Sequence, residues 1–196
     1  DGCDPPSLIC TARSHFITMN ENGDRPGHLP RLPREYYQGD AMIHWTQSTF
    51  DRKEGWLSPL FHHQFRELVL HACVREGMFC PCYCLMEDHI HLLWMGLRRC
   101  TDQIRAMAFL RRYLEPYLAP ARFQPQAHDR VLREAQRERD GFAKLYSYIL
   151  SNPVRSGSAA RPQDWPYYGA VIPGYPKLDP LHPDFAPLLW QLYHSS

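Results

Sequence analysis

The segment that decides the interpretation of this chain is Met78-Phe-Cys-Pro-Cys-Tyr-Cys-Leu-Met-Glu-Asp-His-Ile-His-Leu-Leu-Trp-Met95. It holds two apolar runs, 78–86 and 89–95, which are joined by the acidic pair Glu87-Asp88. Short apolar runs of this composition are typical of buried strands. The segment therefore predicts either two paired strands or one long bent strand within a sheet.

The flanking segments supply the rest of a sheet with helices. Residues 41–50 are rich in β-branched and aromatic side chains and predict a first strand. A helix is predicted from Ser58-Pro59 to Gly77, and a second begins at Thr101-Asp102 and ends before Pro116. A third helix is predicted over about 133–151. This order predicts an α+β fold: a ferredoxin-like antiparallel sheet built on a split βαβ unit, with helices on one face.

The length of 196 residues suits one core with extensions at both ends. We expect an N-terminal extension of unknown role at 1–35, with one possible strand at 15–19. The main domain is predicted at 36–160, followed by a Pro-rich tail at 161–196 that packs on the domain. The tail is interpreted as extended chain ending in a short docked helix.

Cysteine usage and hydropathy indicate the cellular compartment in which the protein is expected. No apolar run approaches the roughly 20 residues of a membrane helix, so no membrane partner is expected. Cys80, Cys82 and Cys84 alternate in one strand, which predicts three small buried side chains on one face in a reducing, cytoplasmic protein. The alternative is a zinc site, which a row along one strand does not favour because it forms no tetrahedral pocket.

The net charge of +1 does not by itself indicate nucleic acid, but its distribution is uneven. Residues 98–155 carry twelve Arg and Lys side chains against six Asp and Glu side chains. Such a basic region suits a phosphate backbone, and the alternative is a set of solvated helix faces. The candidate DNA contacts are Arg111, Arg112, Arg130, Arg133, Lys144 and Arg155.

The pair His89 and His91 is separated by Ile90 inside a predicted strand. Alternation places both imidazoles on one face while Ile90 points to the core. Two nitrogen ligands for a metal are thereby brought side by side. The alternative is a pair of half-exposed strand histidines without a ligand.

The segment around Tyr148 follows the helical period. Phe142, Leu145, Tyr146 and Ile149 form one apolar stripe, and a neighbouring stripe holds Gly141, Lys144, Tyr148 and Asn152. Tyr148 and Asn152 therefore lie on one face, one turn apart. The alternative is that Tyr148 is a boundary aromatic side chain and Asn152 a polar residue at the helix end.

Together, Asp88-His-Ile-His-Leu-Leu-Trp94 and Tyr148-Ile-Leu-Ser-Asn-Pro-Val-Arg155 resemble the REP-associated tyrosine transposases, a branch of the HUH single-tyrosine enzymes. The resemblance runs from about Leu32 to Tyr168. Three further motifs support it: Leu32-Pro-Arg-Glu-Tyr-Tyr37, Asp129-Arg-Val-Leu-Arg133 and Asp164-Trp-Pro-Tyr-Tyr168.

This resemblance implies a metal-dependent enzyme that nicks and rejoins single-stranded or hairpin DNA. His89 and His91 would bind Mg²⁺ or Mn²⁺, Asn152 would be the third ligand, and Tyr148 would be the nucleophile. Asn152 is shorter than the Gln usual in the wider group, and Glu87 stands where many relatives have Pro. Glu87 is interpreted either as a further ligand or as a turn residue.

The resemblance also implies a bacterial cytoplasmic protein without a small-molecule substrate. It favours a monomer, but the sequence does not determine the oligomeric state. Because the reference pKa of a phenol is about 10, a cationic neighbour or the metal must favour the phenolate. Lys144, one turn before Tyr148, is a candidate for that neighbour, and the alternative is an exposed helix lysine without a role. His44, in the first strand, is interpreted either as a residue behind the metal ligands or as an ordinary strand histidine. The alternative function is a domesticated, non-cutting protein that binds nucleic-acid hairpins on the same fold.

Overall fold

The computed structural model describes residues 30–132, 139–175 and 178–195. The strands are β1 (Met42–Ser48), β2 (Met78–Leu85), β3 (His89–Gly96), β4 (His128–Val131) and β5 (Tyr168–Val171). They form one antiparallel sheet in the order β4-β1-β3-β2-β5. The helices are α1 (Pro59–Glu76), α2 (Gln103–Leu114), α3 (Arg139–Leu150), the single turn α4 (Asn152–Arg155) and α5 (Phe185–Ser195).

The predicted α+β class and the split βαβ unit are confirmed. β1, α1 and β2 form the unit, and β3 lies between the two strands and antiparallel to both. The segment 78–95 is therefore a hairpin of two paired strands. The two motif histidines lie on β3, which has a neighbouring strand on each side.

The predicted helix ends agree with the cap chemistry. The Ser58 hydroxyl accepts a hydrogen bond from the Phe61 amide at 3.2 Å, and Gly77 ends α1 in the left-handed conformation with φ of 65°. Asp102 caps α2 by accepting from the Arg105 amide at 3.0 Å.

The expectation that helices lie on one face only is wrong. α1 and α2 cover one face, where Trp45 and Trp94 are fully buried. α3 and α5 cover part of the other face through Phe142, Ile149 and Phe185. The physical reason is that β1, β2 and β3 carry apolar side chains on both faces, so each face needs a cover.

The three strand cysteines are buried and free, as predicted, but they do not share one face. Cys80 packs in the core under α1 and α2, whereas Cys82 and Cys84 pack in the core under α3. The pairing register of β2 shifts between Phe79 and Cys82, around Pro81. Proline cannot donate to the ladder, and an irregularity at this point reverses the alternation.

The C-terminal segment joins the sheet instead of only wrapping it. β5 pairs with β2, and the Trp165 indole donates to the Leu85 carbonyl oxygen at 2.8 Å. The predicted final helix is present as α5, with Phe185 and Leu189 buried. The boundaries at 35/36 and 160/161 stay predictions.

Two predicted elements fall partly or wholly outside the described residues. The possible strand at 15–19 lies outside them, as do residues 133–138 of the predicted third helix. α3 itself is helical from Arg139 onward. Within the described ranges, no helix combines the length and the apolar character needed to cross a membrane.

Candidate active site

His89 and His91 lie on the face of β3 that carries Leu93 and Met95, beneath α3. Ile90, between them, is buried on the opposite face, as the alternation predicted. The two imidazole rings are perpendicular with centroids 4.6 Å apart. Their Nε2 atoms face each other at 3.0 Å.

The Nδ1 atom of each motif histidine has its own partner. His89 Nδ1 lies 2.5 Å from Asp88 Oδ1, and the other Asp88 oxygen accepts from Arg52 at 2.9 Å. His91 Nδ1 lies 3.0 Å from Nε2 of His44 on β1. A carboxylate accepts only, so a neutral His89 carries its proton on Nδ1 and directs an Nε2 lone pair at His91.

Burial favours the neutral, ligand-competent form of two of these imidazoles. Burial, followed by the neighbouring charges of His44, His89 and Arg52, lowers the pKa of His91 to about 2, although Asn152 opposes this with a hydrogen bond. Burial also lowers the pKa of His44 to about 4, with Arg130 and His128 adding to the effect. Both rings are therefore uncharged at neutral pH.

Tyr148 lies beside the histidines because of the phase of α3. Phe142, Leu145 and Ile149 are buried against the sheet, and Tyr148 is 38% exposed on the neighbouring stripe. Its ring centroid is 5.9 Å from that of His91 and 6.2 Å from that of His44. The side chain thus reaches both the histidines and solvent.

Tyr146 is placed quite differently. Its hydroxyl donates to the Pro180 carbonyl oxygen, and its ring stacks between Phe142 and Phe185. Burial raises the pKa of the Tyr146 phenol, which disfavours the nucleophilic phenolate. Of these two tyrosines, Tyr148 is the one suited to attack a phosphate.

Asn152 reaches the histidines from the break between α3 and α4. Its Nδ2 donates to the backbone oxygens of Tyr148 at 2.8 Å and Ile149 at 3.2 Å, and its side chain acts to raise the pKa of His91. With Nδ2 engaged on backbone oxygens, Oδ1 is the atom left to accept from His91 or to bind a cation.

The donor set fits a small divalent cation. An octahedral ion with bonds of about 2.1 Å holds neighbouring donors about 3.0 Å apart, which matches the spacing of the two Nε2 atoms. Among the described residues, no group of three or more His, Cys, Asp or Glu side chains is arranged to hold a metal. The candidate set therefore depends on Asn152 as its third protein ligand.

A cleft of about 450 Å³ opens beside Tyr148, between β4 and α3. Among the residues whose side chains the structure describes, Arg130 and Lys144 supply two cations to its lining and no carboxylate lines it, while Leu132 and Leu145 supply apolar surface. Arg155 lies over the Tyr148 ring, with its guanidinium carbon 4.8 Å from the ring centroid. These cations provide a basic surface at the candidate nucleophile.

Two of the remaining predicted DNA contacts, Arg111 and Arg112, lie away from this cleft. Arg111 donates to Gln47 Oε1 at 2.5 Å and to the Gln124 carbonyl oxygen at 2.6 Å, so its guanidinium is engaged in the fold. Arg112 lies on α2, which covers the opposite face of the sheet. Arg133 lies outside the described residues.

Three contributors were missed or left open by the sequence. Asp88, not Glu87, contacts His89, while Glu87 is exposed in the turn. Arg52, in the short 3-10 helix that follows β1, forms an ion pair with Asp88, which no local pattern indicates. His44 had two interpretations, and the structure places it directly behind His91. In the sequence, the signal that Asp88 contributes to the site was its position directly before His89.

Searches by sequence find no matching protein family and no matching curated protein. Solved structures do match by fold. One is a REP-associated tyrosine transposase bound to a REP hairpin, with a TM-score of 0.60 and 17% sequence identity. The match covers 71% of this chain and 82% of that chain. The chain therefore has the fold of that transposase structure.

Proposed function

We propose that this protein is a metal-dependent DNA endonuclease and strand transferase that acts on single-stranded or hairpin DNA. Tyr148 is the nucleophile, and His89, His91 and Asn152 hold Mg²⁺ or Mn²⁺. One observation carries the proposal. The exposed ring of Tyr148 lies 5.9 Å from the ring of His91, and the Nε2 atoms of His89 and His91 are 3.0 Å apart. The fold similarity to a hairpin-bound tyrosine transposase supports it.

The chemistry assigned to Tyr148 is a transesterification. Its phenol oxygen attacks phosphorus, the bond from phosphorus to the 3′ oxygen breaks, and that oxygen leaves as a 3′-hydroxyl after gaining a proton. The downstream strand stays linked to Tyr148 through its 5′-phosphate. Attack by a 3′-hydroxyl reverses the step and rejoins DNA without an external energy source.

Each neighbouring group has a defined task. Arg155, above the Tyr148 ring, places a positive charge against the face of the candidate nucleophile's ring. Arg130 and Lys144 hold backbone phosphates in the adjoining cleft. A bound divalent ion would polarise the scissile phosphate and stabilise the leaving 3′ oxygen.

A flexible strand suits this site better than an intact duplex. The two candidate histidine ligands lie on β3 beneath α3, and the cleft opens beside Tyr148, whose ring lies 5.9 Å from that of His91. An unpaired phosphate can enter such a cleft without distortion of a double helix. Fully paired DNA of the same sequence is therefore expected to be cut much more slowly.

The test uses hairpins with randomised unpaired flanks, labelled at either the 5′ or the 3′ end and incubated with Mn²⁺. Denaturing gels should show the 3′ label linked to protein and the 5′ label in a shorter free strand. Chelator and the His89→Ala/His91→Ala double variant should remove both products while most DNA affinity remains. Hairpin binding without any covalent product would instead indicate a non-cutting hairpin-binding protein.

A further inference from the structure

We propose that His44 is a positioning residue for the metal site: its Nε2 accepts the Nδ1 proton of His91 and so leaves His91 Nε2 free to bind the ion. This inference rests on the metal site of the proposed function. It assigns a role to a histidine outside the two sequence motifs.

The sheet places His44 for this task. β1 and β3 are neighbours, with Thr46 opposite His91 and His44 opposite Leu93 in the antiparallel register. His44 therefore approaches His91 diagonally, with ring centroids 5.1 Å apart and the two nitrogens at 3.0 Å. His44 is 8% exposed, so packing limits the positions its ring can occupy.

The position of one proton decides whether His91 can be a ligand. A neutral imidazole has one N–H and one lone pair, so a metal on Nε2 requires the proton on Nδ1. The Nδ1 proton then needs an acceptor, because burial leaves it little access to water. His44 Nε2 is such an acceptor when the His44 proton is on Nδ1.

Thr46 is the competing partner, since its hydroxyl oxygen lies 3.3 Å from the same His91 Nδ1. A hydroxyl can donate as well as accept, and donation would leave the His91 proton on Nε2, where it blocks the metal. His44 is closer, at 3.0 Å. The proposal therefore assigns the orienting contact to His44 and not to Thr46.

His89 is oriented in the same way as His91, through a partner at its Nδ1. Asp88 Oδ1 lies 2.5 Å from His89 Nδ1, and a carboxylate can only accept. With His44 accepting from His91, both Nδ1 protons are satisfied. Two lone pairs then face each other across 3.0 Å, an arrangement that a cation between them stabilises.

The experiment compares His44→Leu, His44→Gln and Thr46→Val in the full chain after removal of metal with chelator. Mn²⁺ affinity is measured by titration calorimetry, and thermal unfolding without metal is recorded for each variant. His44→Leu should weaken Mn²⁺ binding by about 10- to 100-fold, the usual effect of losing such a partner. His44→Gln, whose amide oxygen can accept the same proton, should restore affinity to within a few-fold.

Thr46→Val should bind Mn²⁺ nearly as the wild type does. Wild-type affinity in His44→Leu, or equal weakening in His44→Leu and His44→Gln, would overturn the inference. Loss of affinity in Thr46→Val alone would also overturn it, by transferring the role to Thr46.

The two proposals can fail separately. Mn²⁺ binding that responds to His44 as expected, without any protein-linked DNA, would overturn the proposed cutting function and leave this inference standing. If the wild-type protein does not bind Mn²⁺, or binds it equally well without His89, the metal site and the role of His44 are both overturned.

Discussion

Replacement of Tyr148 by Phe removes one oxygen atom, so it tests the role of Tyr148 in catalysis with little effect on the stability of the fold. The ring is 38% exposed, and no hydrogen bond joins its hydroxyl to another residue in the described part of the chain. The free energy of unfolding should therefore change by less than about 0.5 kcal/mol, which is about 1–2 °C in Tm for a chain of this size. Covalent product formation should fall by at least roughly 10³-fold, or about 4 kcal/mol in the barrier.

Tyr146→Phe is the matched control, and it should show the opposite pattern. The Tyr146 hydroxyl donates to the Pro180 carbonyl oxygen, so its loss should cost about 1 kcal/mol, or roughly 2–4 °C in Tm. The covalent product should persist, because Tyr146 lies away from the histidines.

The assay is a denaturing gel with 3′-labelled hairpin DNA, run beside thermal melts of both variants. Covalent product at the wild-type rate in Tyr148→Phe would refute the assignment of the nucleophile. If Tyr146→Phe alone lost the product, the assigned phase of α3 would be refuted as well.

Three further predictions concern other parts of the molecule. Asp88→Ala frees the His89 ring and should lower Mn²⁺ affinity by about 10- to 100-fold in calorimetry, and an unchanged affinity would contradict its orienting role. Lys144→Ala should reduce the slope of log affinity for single-stranded DNA against log salt by about 0.7, whereas Arg75→Ala, on the opposite face of the sheet, should leave that slope unchanged. Asp102→Ala should destabilise the fold by about 1–2 kcal/mol at pH 7 through loss of the α2 cap. Burial alone would raise the pKa of Asp102, but hydrogen bonds, chiefly from the Arg105 amide, lower it overall, so its contribution is present above roughly pH 3.9 and is lost as the pH falls through the lower folded pKa. Urea unfolding from pH 7 down to pH 3 should therefore show the difference between Asp102→Ala and wild type shrinking, and a difference that is constant with pH would refute the role of the carboxylate.

Local patterns in the sequence were sufficient for most of the secondary structure around the site. Ser58-Pro59 and Gly77 marked the ends of α1, because cap chemistry acts within a few residues. Alternation in β3 placed His89 and His91 on one face, and the helical period placed Tyr148 away from the buried stripe. Each of these features depends on residues that are close together in the chain, so the sequence alone determined it.

Only the tertiary structure decided what lies across from each of these side chains. The register between β1 and β3 sets His44 against His91, and the 3-10 helix after β1 brings Arg52 to Asp88. The irregularity around Pro81 moved Cys80 to the opposite face from Cys82. Strand register, bulges and loop paths depend on residues far apart in the chain, and the alternation of a single strand does not encode them.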